Sequence, residues 1–536
     1  MNRALYRLYL YVVAVVMLVF AAISLRSLLN TLLSETPLRD LYAAAPDSRA
    51  VVQSSVLAAT ALLVALGIGG LHYWLIRRDL AGDPSAGGGA VRALALNFTQ
   101  TTAALFAFFA GLTLLSSVGQ PYAFGRNGYL ATLLVAAAVF ALAQWERART
   151  QAGPGAPLVL QRLHLYGVQT VILIAAIFTV MTAVETSIQV LLIQARAVPD
   201  PCAGIFTPPG EPPDLFVCNI AAGLLGKWLA LVWVVGAWAL YAWLARADRR
   251  SVLRQIAYYF GFVAGLASLI FGVDRAVEWL LRAALGASGG LAVEYVDSYA
   301  FAGIVLFGVL VMLFYARRLD RDSAGEARSA QTTQLTLLAL GAVALGFPLY
   351  IGIVRLGHGL VEAALRGDQL AAAGWASALA LIVAGLAHPL LAYLLRARSV
   401  GDAPSGPHRA YIFAGLAAGA LTAALSLATA LYLTITGLLG TPVSANWAAD
   451  ARYAVVTLLV GGFIGGIHLW RFLQLRSAER AAGAQPAGGQ VAATAGAAAG
   501  VSAGDGTIEA VLDALLAGQV SREQAAAQLH ALIASR

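Results

Sequence analysis

Long apolar runs broken by short polar punctuation set the rhythm of this chain. A membrane-crossing helix needs about 20 mainly apolar residues, and twelve runs are candidates. The first six are Leu8–Leu32, Val51–Ile76, Ala93–Val118, Tyr129–Trp145, Leu163–Ile193 and Asn219–Leu244. The second six are Ile256–Leu285, Val296–Ala316, Leu335–Leu365, Trp375–Leu395, Ala410–Ile435 and Tyr453–Leu473. The fifth, seventh and ninth are long enough to leave the hydrocarbon. The first run follows Arg3 and Arg7, as a signal peptide would. It is too long for such a segment and lacks a small-x-small cleavage site, so it reads as a retained helix.

Composition agrees with this pattern. Of 536 residues, 60% are hydrophobic and 12% charged, with a mean hydropathy of +0.76, which excludes an ordinary soluble domain. The expected class is an all-α polytopic integral membrane protein, with the lipid bilayer as its first partner. A net charge of +8, from 34 arginines and the single lysine Lys227 set against the acids, raises the question of nucleic acid. The placement of the arginines answers it. The N-terminal tail, alternate connections and the stretch after the last run hold 22 arginines, the remaining connections 7. That asymmetry is a topology signal, predicting both termini in the cytoplasm of a bacterial inner membrane and no nucleic-acid partner.

The runs also repeat in pairs. Odd-numbered runs begin after an arginine, as in "RLYLY", "RLHLYG", "RQIAYYFG" and "HRAYIFAG". Even-numbered runs end in aromatic and basic clusters such as "LHYWLIRRD", "AQWERAR", "LYAWLARADRR", "LFYARRLDRD" and "IHLWRFLQLR". The pattern predicts six helical hairpins in one orientation, hence parallel repeats. The repeated entrances, with the exits "GGLHYW" at Gly69–Trp74 and "GGIHLW" at Gly465–Trp470, resemble bacterial membrane proteins of domain-of-unknown-function family 5671. The resemblance covers residues 1–476, with the seventh to tenth runs lacking the His-x-Trp exit. It implies a multi-helix membrane domain and no established activity.

Three domains follow: a transmembrane domain over 1–476, a Gly/Ala-rich flexible linker over 477–506, and a short helical hairpin over 507–536. In that last piece Gly518 stops one helix and Ser521 with Gln524 caps the next. Ile508, Val511, Leu512, Leu515 and Leu516 make one apolar stripe, and Leu529, Leu532 and Ile533 another. Two such helices bury too little surface to be stable alone, so self-association or docking is expected over an inert tail. The segment is similar to the short C-terminal helical hairpins that end many bacterial membrane proteins, which implies a role in oligomerisation.

Candidate chemistry is sparse. Asp274 lies about 30 Å along the seventh helix from Arg254, at its outer end, and Arg275, Glu278 and Arg282 follow it. Glu185, Glu278 and Glu362 recur late in the fifth, seventh and ninth helices. Arg355, His358 and Glu362 share a face, and matched depths predict an ion pair between Glu185 and Lys227. Three roles stay open for these charges: interfacial anchoring with structural pairing, an outward-facing polar cavity, or proton or ion coupling. Cys202 and Cys218, in the Pro-rich outer connection, favour a disulfide over two free thiols. The histidines fit interfacial or capping roles better than haem ligation. No nucleophile elbow, HExxH, phosphate loop or dinucleotide fingerprint occurs; no cofactor or metal is expected.

These features predict a non-enzymatic scaffold or sensor that self-associates through its C-terminal hairpin. One stated ground is the absence of a charge-bearing helix broken at mid-membrane. The alternative is a secondary transporter in which the charged cluster lines an outer vestibule. Pro348, midway along the ninth helix, is its best support, although prolines also occur through ordinary packing.

Overall fold

The protein was analysed as a computed structural model, which describes residues 3–34, 36, 48–119, 125–149, 155–195, 220–248, 251–286, 300–325, 327–366, 372–399, 406–440 and 443–483. Every regular element among them is helical: α1 (Arg3–Ser34), α2 (Ser48–Gly82), α3 (Ala90–Ser116), α4 (Arg126–Ala148), α5 (Ala156–Gln194), α6 (Ile220–Leu244) and α7 (Val252–Ala284). There follow α8 (Ala300–Ser323), α9 (Ala327–Arg366), α10 (Ala372–Gly385), α11 (His388–Arg398), α12 (Gly406–Leu438) and α13 (Trp447–Gly483). Short 3₁₀ turns occupy Pro84–Gly88 and Ala245–Ala247. Among the described residues, twelve segments are long and apolar enough to cross a membrane, α10 and α11 together making the tenth. Helices are the economical answer there, because each satisfies its own backbone hydrogen bonds without water. This is a multi-pass all-α membrane protein.

Chain neighbours pair as antiparallel hairpins: α1 with α2, α3 with α4, α5 with α6, α7 with α8, and α9 with α10. Small residues set the closest approach. In the α7–α8 hairpin, a Cβ on Gly265 would sit 2.5 Å from the Met312 nitrogen, and one on Gly308 2.5 Å from the Leu269 nitrogen. Lipid tails are as apolar as leucine, so helix association rests on such backbone-to-backbone packing. Aromatic and branched residues fill the rest. Phe108, Tyr166, Ile172, Val234 and Tyr241 form one core where α3, α5 and α6 meet; Leu173, Phe262, Leu266, Phe307 and Tyr315 form another between α5, α7 and α8. The 39-residue α5 is thus a spine shared by both cores, and at about 60 Å it outruns the hydrocarbon, as expected.

Two features correct the sequence reading. The tenth run is not one continuous helix: it breaks at Leu386–Ala387, between α10 and α11. Pro389 supplies the reason, since it has no N–H to offer the preceding turn and its ring excludes the carbonyl four residues back. His388 at the break engages the Ala342 carbonyl of α9 through Nδ1 at 2.7 Å. A mid-span break bearing a titratable side chain is therefore present. In addition, α13 continues to Gly483, so helix covers residues 477–483 of the stretch read as linker.

The chain divides into two compact units, Met1–His468 and Leu469–Arg536. The predicted C-terminal hairpin and most of the linker lie outside the described residues.

Candidate functional site

Four of the entrance arginines have acidic partners that the sequence reading did not assign. In the first hairpin Arg7 reaches Asp79 through Nε and Asp83 through Nη2, both at 2.7 Å. In the second, buried Arg92 lies 3.6 Å from Glu146 and donates to its carbonyl at 2.9 Å. In the third, Arg162 meets Asp248 at 2.9 Å. In the fourth, Arg254 grips Asp322 with two bonds of 2.7 and 2.9 Å. Each pair ties the start of an odd helix to the end of the following even one, or just beyond it. We call this the basic end. Ionisable side chains on membrane helices are commonly paired with one another, and here each partner comes from across its hairpin.

The clamps are joined to one another. Asp248 accepts from Tyr166 Oη at 2.8 Å and from Ser251 Oγ at 2.6 Å, and Ser251 caps α7 through the Arg254 amide. Arg254 also donates to the Asp248 carbonyl at 2.5 Å, so α5, α6, α7 and α8 share one network. Glu146 plays the same part between α2, α3 and α4, within 3.5 Å of Arg77 and accepting from Tyr73 Oη at 3.3 Å. Outside the spans, the Asp83 carboxyl is held down at about 2 by the Ser85 hydroxyl and then by Arg7.

A ring-on-ring contact recurs one layer further in. Tyr9 meets His72 with ring centroids 5.7 Å apart, and His164 meets Tyr241 at the same distance with the residue types exchanged. Tyr258 meets Tyr315 at 5.6 Å, and Tyr411 meets His468 at 5.4 Å. His72, Tyr241 and Tyr315 each precede their clamp acid, Asp79, Asp248 and Asp322, by seven residues. That spacing was available in the sequence and would have found both layers. His72 and His468 also bond the carbonyls one turn back, Ile68 and Ile464, within the interiors of α2 and α13.

The opposite end holds the charged residues singled out by spacing. Glu278 is buried between Arg282 at 2.5 Å and Arg275 at 3.3 Å, both on its own helix. Glu362 accepts from Nε and Nη2 along one edge of Arg452, from α13, and lies 3.7 Å from His358. Arg452 is the partner that spacing could not supply. His358 also stacks edge-on with Tyr453 at 5.1 Å, while Arg355 turns to Ser377 of α10 at 2.8 Å. Asp274 is 8% exposed, and its Oδ1 has no hydrogen-bond partner among the described residues. The charges acting on it are those of Arg275, Glu278 and, across helices, Arg355. So the seventh and ninth helices do contribute to one charged layer.

Glu185 and Lys227 lie on α5 and α6, which pack as one hairpin. The two helices are at the matched depth, for Trp228 Nε1 donates to Ser187 Oγ at 3.1 Å. Lys227, one position earlier and rotated by about 100°, lines a crevice with Leu112, Ser116, Phe178 and Thr182. Glu185 accepts from Gln189 Nε2 at 3.4 Å. Cys202 and Cys218 lie outside the described residues.

A buried polar set between α3, α5 and α6 was also missed. Thr101 Oγ1 contacts His164 Nδ1 at 2.8 Å, while His164 Nε2, Tyr241 Oη and both amide atoms of the fully buried Gln100 lack partners among the described residues. No protein-family model, curated protein or solved structure matches the chain.

Proposed function

We propose that this protein is a non-enzymatic scaffold or sensor module of a bacterial inner membrane, with both termini cytoplasmic, built from six parallel hairpin repeats and self-associating through residues 507–536. The observation that carries this reading is the contrast in charge compensation. Eight helices are tied in hairpins by Arg-to-acid clamps at the basic end, and at the other end Glu278 and Glu362 are already neutralised by Arg275, Arg282 and Arg452. Carboxylates saturated by their own arginines offer little to a charged solute; clamped hairpins suit a rigid platform.

The test is the mass of the full-length protein in detergent, wild type beside Leu512→Glu and Leu516→Glu. Wild type is expected as an oligomer and both variants as smaller species with the same helical content. A monomeric wild type, or an unchanged mass in the variants, contradicts the assembly role.

A second reading, a secondary transporter with an outward-facing charged vestibule, draws on one specific observation. The tenth span is broken at His388, which bonds the Ala342 carbonyl and lies against Gly346 of α9, and discontinuous helices recur at transporter binding sites.

A further inference from the structure

A crevice of about 590 Å³ runs between α1, α3 and α4. Its walls are the exposed faces of membrane-spanning helices: Ile23 is 60% exposed and Phe106 60%. Along α3 it extends from Phe98 to Thr113, about 22 Å at 1.5 Å per residue. One leaflet of a bilayer core is about 15 Å deep, so the crevice is long enough for an acyl chain of that leaflet.

Its polar end is distinctive. Arg26 lies within a span, where a cation is costly unless something compensates it. It forms no ion pair among the described residues; its one hydrogen bond runs from Nε to Thr132 Oγ1 at 2.6 Å. Both terminal nitrogens are left for another acceptor. The glycine at 128 opens the space beside them: Arg26 Nη2 and Asn30 Oδ1 each lie 3.5 Å from where its Cβ would be. Tyr129 and Thr132 complete the rim. A planar guanidinium with a free edge matches a phosphate diester, which accepts two parallel bonds.

We propose that this crevice is a binding site for one anionic glycerophospholipid of the surrounding bilayer, its phosphate on Arg26 and one acyl chain along Phe98, Phe106 and Phe109. The apolar length and the single uncompensated cation sit at the two ends of one continuous space, the arrangement that an amphiphile of this charge requires. Arg26 lies in the half of α1 remote from Arg7, so the lipid belongs to the leaflet at the end opposite the clamps. This inference is independent of whether the module is a scaffold or a transporter.

The test uses full-length protein taken from vesicles of equimolar dioleoyl phosphatidylglycerol and dioleoyl phosphatidylcholine, with retained lipid counted by native mass spectrometry. Wild type is expected to hold one phosphatidylglycerol per chain, at least tenfold preferred over phosphatidylcholine. Arg26→Gln, which keeps the Thr132 bond, is expected to reduce the preference below twofold, and Arg26→Lys to preserve most of it. Ala22→Phe, which fills the crevice, is expected to reduce retention of both lipids. Equal retention of the two lipids by wild type, or an undiminished preference in Arg26→Gln, overturns the proposal. So does a peptide of a second copy cross-linking at Phe106, since a protein would then occupy the space.

Discussion

At the basic end an acid finds its arginine across a hairpin; at the opposite end Glu278 finds its arginines on its own helix, Glu362 finds Arg452 on another, and Asp274 Oδ1 has no hydrogen bond among the described residues. The separation of the partners along the chain distinguishes pairs that hold this molecule together from pairs that it can spare. Arg254 and Asp322 are 68 residues apart, so their pair closes a long loop and reports on the fold. Arg275 and Arg282 are three and four residues from Glu278, so their pairs survive even in an isolated helix and say little about packing.

The largest effect is expected at the fourth clamp. Asp322→Ala leaves the Arg254 guanidinium, whose side chain is only 10% exposed, without its counter-charge. Removing one partner of a buried pair costs about 3 to 5 kcal/mol, and the thermal midpoint in detergent should fall accordingly. Replacing both residues together, Arg254→Met with Asp322→Leu, should recover most of that loss. Recovery no better than in the single variant would mean that Arg254 contributes beyond the pair, through its bond to the Asp248 carbonyl.

Smaller effects belong to the other end. Glu278→Gln should cost about 1 kcal/mol, because Arg275 and Arg282 are partly exposed and screened. Asp274→Asn should be neutral or stabilising, since a buried amide avoids the cost of an ionised carboxylate short of hydrogen bonds. A marked loss of stability in Asp274→Asn would show that the charge itself is structural.

The smallest effect is acid sensitivity at the first clamp. Asp83 is held at about 2, below the ordinary 3.8, so its contribution is complete above pH 4 and is lost as pH falls through about 2. Hydrogen exchange at the Asp79–Gly89 backbone should rise across that window in wild type, and the rise should vanish in Asp83→Asn.

The spans were legible because hydrophobic length is nearly sufficient for a membrane helix, and the arginines were legible as marks of topology. Their acidic partners were not sought, although Asp79, Asp248 and Asp322 stand seven residues after a ring residue in each exit motif. Depth along a helix proved easier to read than rotation around it. The Trp228–Ser187 bond sets α5 and α6 at the matched depth, and Lys227, one residue round from Trp228, lines the crevice beside Leu112 and Ser116 of α3. Glu362 and Arg452 are 90 residues apart, and only the packing of α13 on α9 brings them together. The break at His388 was signalled by Pro389, but the run was counted by its apolar length, to which a proline two turns from the end makes little difference.

The most direct test is the solute and proton dependence of thermal stability for purified wild type, Glu278→Gln and Glu362→Gln, each compared with its own value in buffer alone. If the glutamates are internal counter-charges, as the scaffold reading holds, the three proteins will show the same solute-induced and pH-induced shifts. A shift present in wild type and lost in either variant would contradict it and make the charged layer a binding vestibule.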